Sequence, residues 1–105
     1  MIQRRILGIG VLLAAASATS VEAQPLDGVR TRSLAATCAG CHGTDGKAVA
    51  GGPMVRLAGL PKDFIAAQMR AFRDGQRPAT VMHQLAKGYS DAQIDAIAGY
   101  FAAVR

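Results

Sequence analysis

Apolar and polar positions change rhythm several times along this chain, and each change marks an element. The first stretch, MIQRRILGIGVLLAAASATSVEAQ, carries Arg4 and Arg5 and then an apolar run from Ile6 to Ala16. That run is shorter than the roughly 20 residues needed to cross a bilayer. It leads to Val21-Glu22-Ala23, with small or compact residues at the −3 and −1 sites of a secretory signal. The pattern predicts a signal peptide over residues 1–23, cleaved after Ala23, and one domain over 24–105.

In VRTRSLAATCAGCH, Val29, Leu34 and Cys38 fall near helical spacing and predict a short helix ending around the cysteines. Residues 43–60 hold five glycines and one proline, a loop long enough to be folded around something. Pro61 then opens PKDFIAAQMRAFRDG, where Phe64, Ile65, Met69 and Phe72 form one apolar side, Asp63 sits in the first turn and Gly75 follows the last. A loop around Pro78 precedes a short helix that stops before Gly88. In SDAQIDAIAGYFAAVR, Ser90 and Gln93 form a capping box, and Ile94, Ile97, Ala98, Phe101 and Val104 repeat at helical spacing. No window alternates as a strand does, so the expected fold is all-α: three to four short helices joined by glycine-rich loops.

Length sharpens this picture. Removing 23 of 105 residues leaves 82, a size at which a hydrophobic core alone gives a thin margin of stability and a covalent or metal staple is usual. The same cut leaves ten basic and six acidic side chains, a net charge of +4. A basic balance can signal nucleic acid, but export and the scarcity of aromatic residues argue against a base-stacking surface. An acidic protein partner or an acidic cofactor suits an exported chain better.

The staple is visible at residues 37–42, TCAGCH, which hold both cysteines of the chain and one of its two histidines. C-x-x-C-H in an exported chain is the attachment signature of a c-type haem. Two cysteines three apart on a helical turn can each form a thioether to a vinyl group along one porphyrin edge. The adjoining histidine is then carried under the iron. Cys38 and Cys41 are the expected tethers and His42 the expected proximal ligand. A Cys38–Cys41 disulfide would close too small a loop to stabilise much, a thioredoxin-like pair would need a βαβ context, and zinc would need about four ligands where only Cys38, Cys41, His42 and distant His83 are available. A haem also offers an apolar surface for Phe64, Met69, Phe72, Ile97 and Phe101 to cover.

The sixth ligand decides whether the iron is open to exogenous ligands. Met69 belongs to the apolar stripe of its helix. Met54 follows His42 closely, so the chain would have to round the haem edge within a dozen residues. Met82 lies 40 positions beyond His42, ample chain to reach the opposite face, and is the expected ligand. His83 beside it makes bis-histidine coordination the rival.

With these residues placed, TCAGCHGTDG, AGLPKDFIAAQMRAFRDGQR and ATVMHQLAKGYSDAQIDAIAGYFA together resemble the class I c-type cytochromes over essentially the whole mature length. The nearer resemblance is to the monohaem cytochrome subunit of flavocytochrome c sulfide dehydrogenase and related short periplasmic cytochromes c. It implies one covalent haem c with His42 and Met82 as axial ligands, and a Pro53 carbonyl accepting the His42 ring N–H. It also implies an N-terminal helix crossing the C-terminal one where Ala98 and Gly99 are small, and propionate contacts from Tyr89 or Arg77. In that family the flavin and the sulfide chemistry belong to another chain, and no dinucleotide fingerprint occurs in this one.

Two roles follow. One is an electron-accepting subunit docked to a flavoprotein dehydrogenase; the other is a free periplasmic carrier shuttling between redox enzymes and a soluble or membrane acceptor. Only Lys47, Lys62 and Lys87 are lysines, the remaining positive charge being arginine, which is enriched at interfaces and leans toward docking. A ligand-binding or catalytic haem would require an open sixth site.

Overall fold

The computed structural model describes residues 26–105, and within them every regular element is helical. The expected signal peptide lies outside the described residues. Helix α1 spans Gly28–Ala36, α2 Ala39–His42, α3 Lys62–Arg73, α4 Met82–Ala86 and α5 Asp91–Ala103, with a single 3-10 turn at Thr44–Gly46. No described helix is long and apolar enough to cross a membrane.

Local chemistry explains the boundaries. The Asp27 carboxylate accepts from the Arg30 amide at 2.8 Å and starts α1. Helix α1 stops at Ala36, sooner than its apolar spacing suggests. The break at Thr37–Cys38 lets C-x-x-C-H form a separate helical turn, closed by the His42 amide on the Cys38 carbonyl at 2.9 Å. Pro61 serves α3 as its N-cap, with extended ψ, and Gly75 ends the turn beyond α3 at φ +73°. The Ser90–Gln93 capping box closes reciprocally, amide to side chain at 2.9 and 3.2 Å.

Helix α5 is the spine. It packs on α1 and on α3, and α4 rests on α3. Ile65, Ala66 and Met69 of α3 meet Ile94, Ile97, Ala98 and Phe101 of α5, with Ala35 of α1 and Ala86 of α4 completing the buried cluster. Phe101 is fully buried, a placement that contributes on the order of 1.5–3 kcal/mol relative to exposure. The α1–α5 crossing is present, but Gly99 does not form it. A Cβ at Gly99 would point toward the Lys62 side chain at 3.8 Å, on the α3 side.

Outside the core, α3 and α5 are laced by charge. Arg70 reaches Asp95 at 2.8 Å and Asp91 at 3.3 Å, while Arg73 reaches Asp91 at 2.8 Å and Asp74 at 3.1 Å. Hydrogen bonds from Arg73 and Arg70 hold the Asp91 carboxyl below its ordinary range.

The glycine-rich loop after α2 is anchored by Gly46. Its carbonyl accepts from the amides of Leu57 and Ala58 at 2.9 and 3.1 Å, so the segment between returns to where it began. Gly46 has φ +70°, and a Cβ there would stand 2.7 Å from the Phe101 ring. Asp45, at φ +53°, accepts from the Tyr100 hydroxyl at 2.6 Å and pins the same turn to α5.

Candidate haem site

The break after α1 sets the site. Cys38 falls at the start of the α2 turn, half-buried against the core, while Cys41 one turn later is exposed. Both are free thiols. Burial pushes the Cys38 thiol up, an effect partly offset by the neighbouring Thr37 side chain. Among the described residues no three His, Cys, Asp or Glu side chains converge as a metal cluster.

His42 closes the turn with its ring held in place. Nδ1 lies 2.7 Å from the Val55 carbonyl. A carbonyl only accepts, so Nδ1 carries the proton and Nε2 is left with its lone pair. A carbonyl in this position orients the ring and raises its basicity as a ligand. The expected acceptor was Pro53, and the structure corrects it. Gly51 at φ +76° and the Gly52 amide on the Val49 carbonyl at 3.1 Å turn the chain, so Pro53 faces a cleft of about 240 Å³ with Gly40, Cys41, Val49 and Met54. The carbonyl two residues further on is the one that meets His42.

Met82 opens α4 and packs, partly buried, against the core cluster. Beside it the His83 ring has a buried Nδ1 with no hydrogen-bond partner among the described residues. Met69 is buried in the protein core, as its stripe implied, and Met54 is 41 % exposed in the loop after His42. The Tyr89 hydroxyl meets Thr37 Oγ1 at 2.8 Å. Arg77 bonds to Gln68 Oε1, and its guanidinium lies 4.7 Å above the centre of the Phe72 ring.

These residues fit a haem. Two free thiols sit one turn apart, an imidazole presents Nε2 with its far side already bonded, and a buried imidazole nitrogen near Met82 lacks a partner. Apolar side chains stand uncovered on both segments concerned: Val49, Met54 and Val55 beyond His42, and Val81 and Leu85 around Met82. Uncovered apolar groups gathered this way mark a surface that takes a ligand or partner. The side chains expected to cover the haem divide differently. Met69, Ile97 and Phe101 are consumed by the protein core, and Phe64 stays half-exposed.

Residues 30–101 match the family model described as cytochrome c oxidase, cbb3-type, subunit III. The chain belongs to this cytochrome c family. It is 38% identical over 105 residues to the thiosulfate dehydrogenase electron acceptor of Thiomonas intermedia (strain K12), covering 97% of this chain and 45% of that protein. It is 38% identical over 78 residues to the cytochrome subunit of sulfide dehydrogenase of Chlorobaculum tepidum, covering 74% of this chain and 69% of that protein. It is also 32% identical over 100 residues to cytochrome c-553 of Nitratidesulfovibrio vulgaris, covering 92% and 95%. The chain thus spans about half the length of the thiosulfate dehydrogenase relative.

This cytochrome is a haem-carrying electron-transfer protein, and Cys38 and Cys41 fit the C-x-x-C-H motif of covalent haem c attachment. The haem iron supplies a one-electron couple. Cys38 and Cys41 would tether that group, and the Val55 carbonyl already orients the His42 imidazole that would face its iron. Nothing in residue spacing singles out Thr37 or Val55, whereas Gly46 was simply passed over. The T-D-G turn after the motif was a usable signal for Gly46, but Val55 contributes only its backbone.

Proposed function

We propose that this cytochrome is an exported one-electron carrier that accepts electrons from a dehydrogenase acting on a reduced sulfur compound. A flavoprotein sulfide dehydrogenase is the partner, and the electrons leave to a soluble or membrane acceptor. The observation that carries this reading is the kinship with two relatives named for such roles, each 38% identical. Residues 1–23 act as the signal that directs the chain to the periplasm. His42 and Met82 are the axial ligands, and with both iron faces closed the protein is a carrier rather than an enzyme.

The charge layout supports a docking role. All six described acidic residues, Asp27, Asp45, Asp63, Asp74, Asp91 and Asp95, lie outside residues 46–62 and 75–90, the two segments that carry the uncovered Val49, Met54, Val55, Val81 and Leu85; Val29 and Phe64 are uncovered elsewhere. Those two segments hold only basic charges, at Lys47, Arg56, Lys62, Arg77 and Lys87, all exposed. Exposed apolar and basic side chains on the same two segments favour a partner with an acidic surface. The same basic charge also suits a freely diffusing carrier, which is the second reading.

Purification of the native protein at low and at high salt separates the two. Permanent docking gives a flavin-bearing chain in equimolar amount under both conditions. A monomer at both, reduced readily by several unrelated donors, contradicts docking and favours the shuttle.

A further inference from the structure

Thr37 and Tyr89 are 52 residues apart in sequence, yet their hydroxyl oxygens lie 2.8 Å apart. Thr37 Oγ1 is also 2.7 Å from the Leu34 carbonyl. That carbonyl can only accept, so the single Thr37 proton points to it and the Tyr89 hydroxyl donates to Thr37 Oγ1. Among the described residues, no other hydrogen bond joins the segment 26–60, which holds Cys38, Cys41 and His42, to the segment 76–90, which holds Met82.

Both ends of this bond are coupled to the site. Thr37 immediately precedes Cys38. On the other side the turns of α4 continue without a gap to Tyr89: the Gly88 amide meets the Leu85 carbonyl at 3.1 Å and the Tyr89 amide meets the Ala86 carbonyl at 3.2 Å. Helix α4 has five residues and no side-chain cap. A helix so short has no stability of its own, so its position is imposed by tertiary contacts. Apolar packing on α3 resists separation but is not directional. The Tyr89–Thr37 bond is directional.

We propose that the Tyr89–Thr37 hydrogen bond is a clasp that holds the Met82 segment against the cysteine segment, which makes Tyr89 a positioning residue for the sixth iron ligand. The clasp rests on the assignment of Met82 as that ligand. When it opens, α4 is freer to swing on α3, and the thioether gives way more often to a competing ligand.

The test is the rate at which excess imidazole displaces the sixth ligand in the oxidised holoprotein. Tyr89→Phe keeps the ring and removes the donor, Thr37→Val removes the acceptor, and Thr37→Ser keeps both bonds. Displacement is expected to be roughly five-fold faster in Tyr89→Phe and in Thr37→Val, about 1 kcal/mol at 1.4 kcal/mol per tenfold. Thr37→Ser should keep the wild-type rate, and the double variant should be no faster than either single change. Unchanged displacement in Tyr89→Phe, even with a lowered unfolding midpoint, overturns the clasp, as do additive effects in the double variant. The ferrous wild-type proton spectrum distinguishes the failure beneath it. A methionine methyl signal shifted by the porphyrin ring current, together with unchanged rates, sinks the clasp alone; its absence removes the Met82 assignment and the clasp with it.

Discussion

The carbonyl of Val55 holds Nδ1 of His42 at 2.7 Å, two residues beyond the proline expected to do so. That contact fixes the tautomer of the imidazole and leaves Nε2 as the nitrogen with a free lone pair. In the reduced holoprotein the His42 ring N–H should exchange slowly and show close proton contacts to Val55 and Arg56. Contacts to Pro53 and Met54 instead would restore the proline as the acceptor.

Gly46 and Gly51 separate two costs that are often confused. Both have positive φ, +70° and +76°, but a Cβ at Gly46 meets the Phe101 ring at 2.7 Å while one at Gly51 meets nothing within 4 Å. Gly51→Ala should cost only the backbone strain, roughly 1 kcal/mol. Gly46→Ala adds overpacking against a fully buried ring and should cost about 2–4 kcal/mol. Denaturant unfolding of the two holoprotein variants checks the difference, and equal losses would show that Phe101 yields to the added methyl.

Acid should weaken the α3–α5 face through Asp91. Its carboxyl titrates below the ordinary range because Arg73 and Arg70 donate to it. The ionised form is therefore favoured by folding, and the stability it adds is present above the ordinary carboxylate pKa of about 4. It is lost as pH falls through that value toward the depressed one. Asp91→Asn should flatten the acid limb of the stability curve between about pH 4 and lower, with little change in its shape near neutrality. An acid limb identical to wild type would mean the network is matched in the unfolded chain.

Alkali should act at the other end of α5. The Tyr100 hydroxyl donates to Asp45, and that bond, together with burial and the nearby carboxylate, pushes its pKa up. The neutral phenol is favoured by folding, so its contribution is complete below the ordinary tyrosine pKa of about 10 and is lost as pH rises past the raised one. Tyr100→Phe should remove this high-pH loss, which a stability series from neutral pH upward would reveal.

Helices α3 and α5 were legible because each carries its own punctuation: Pro61, Asp63 and Gly75 around one apolar stripe, and the Ser90–Gln93 box before another. The all-α architecture and the C-x-x-C-H turn were legible for similar local reasons. The break after Ala36 was not, since only the motif's own geometry requires it. The His42 partner was missed because it depends on the register of a loop whose turn at Gly51 needs positive φ, a property that residue spacing does not reveal. Gly99 was placed at the α1 crossing, whereas a Cβ there would meet only the Lys62 side chain on the α3 side. Side chains expected over the haem, Met69, Ile97 and Phe101, instead fill a core of their own. Apolar spacing shows that a side chain is covered, not by what.

Closure of both iron faces by His42 and Met82, as proposed, is read out by ferrous holoprotein under carbon monoxide. The expected result is an unchanged spectrum at neutral pH in the wild type and in His83→Ala, and prompt carbon monoxide binding only when Met82→Ala opens the sixth site. Ready binding by the wild-type protein would contradict it.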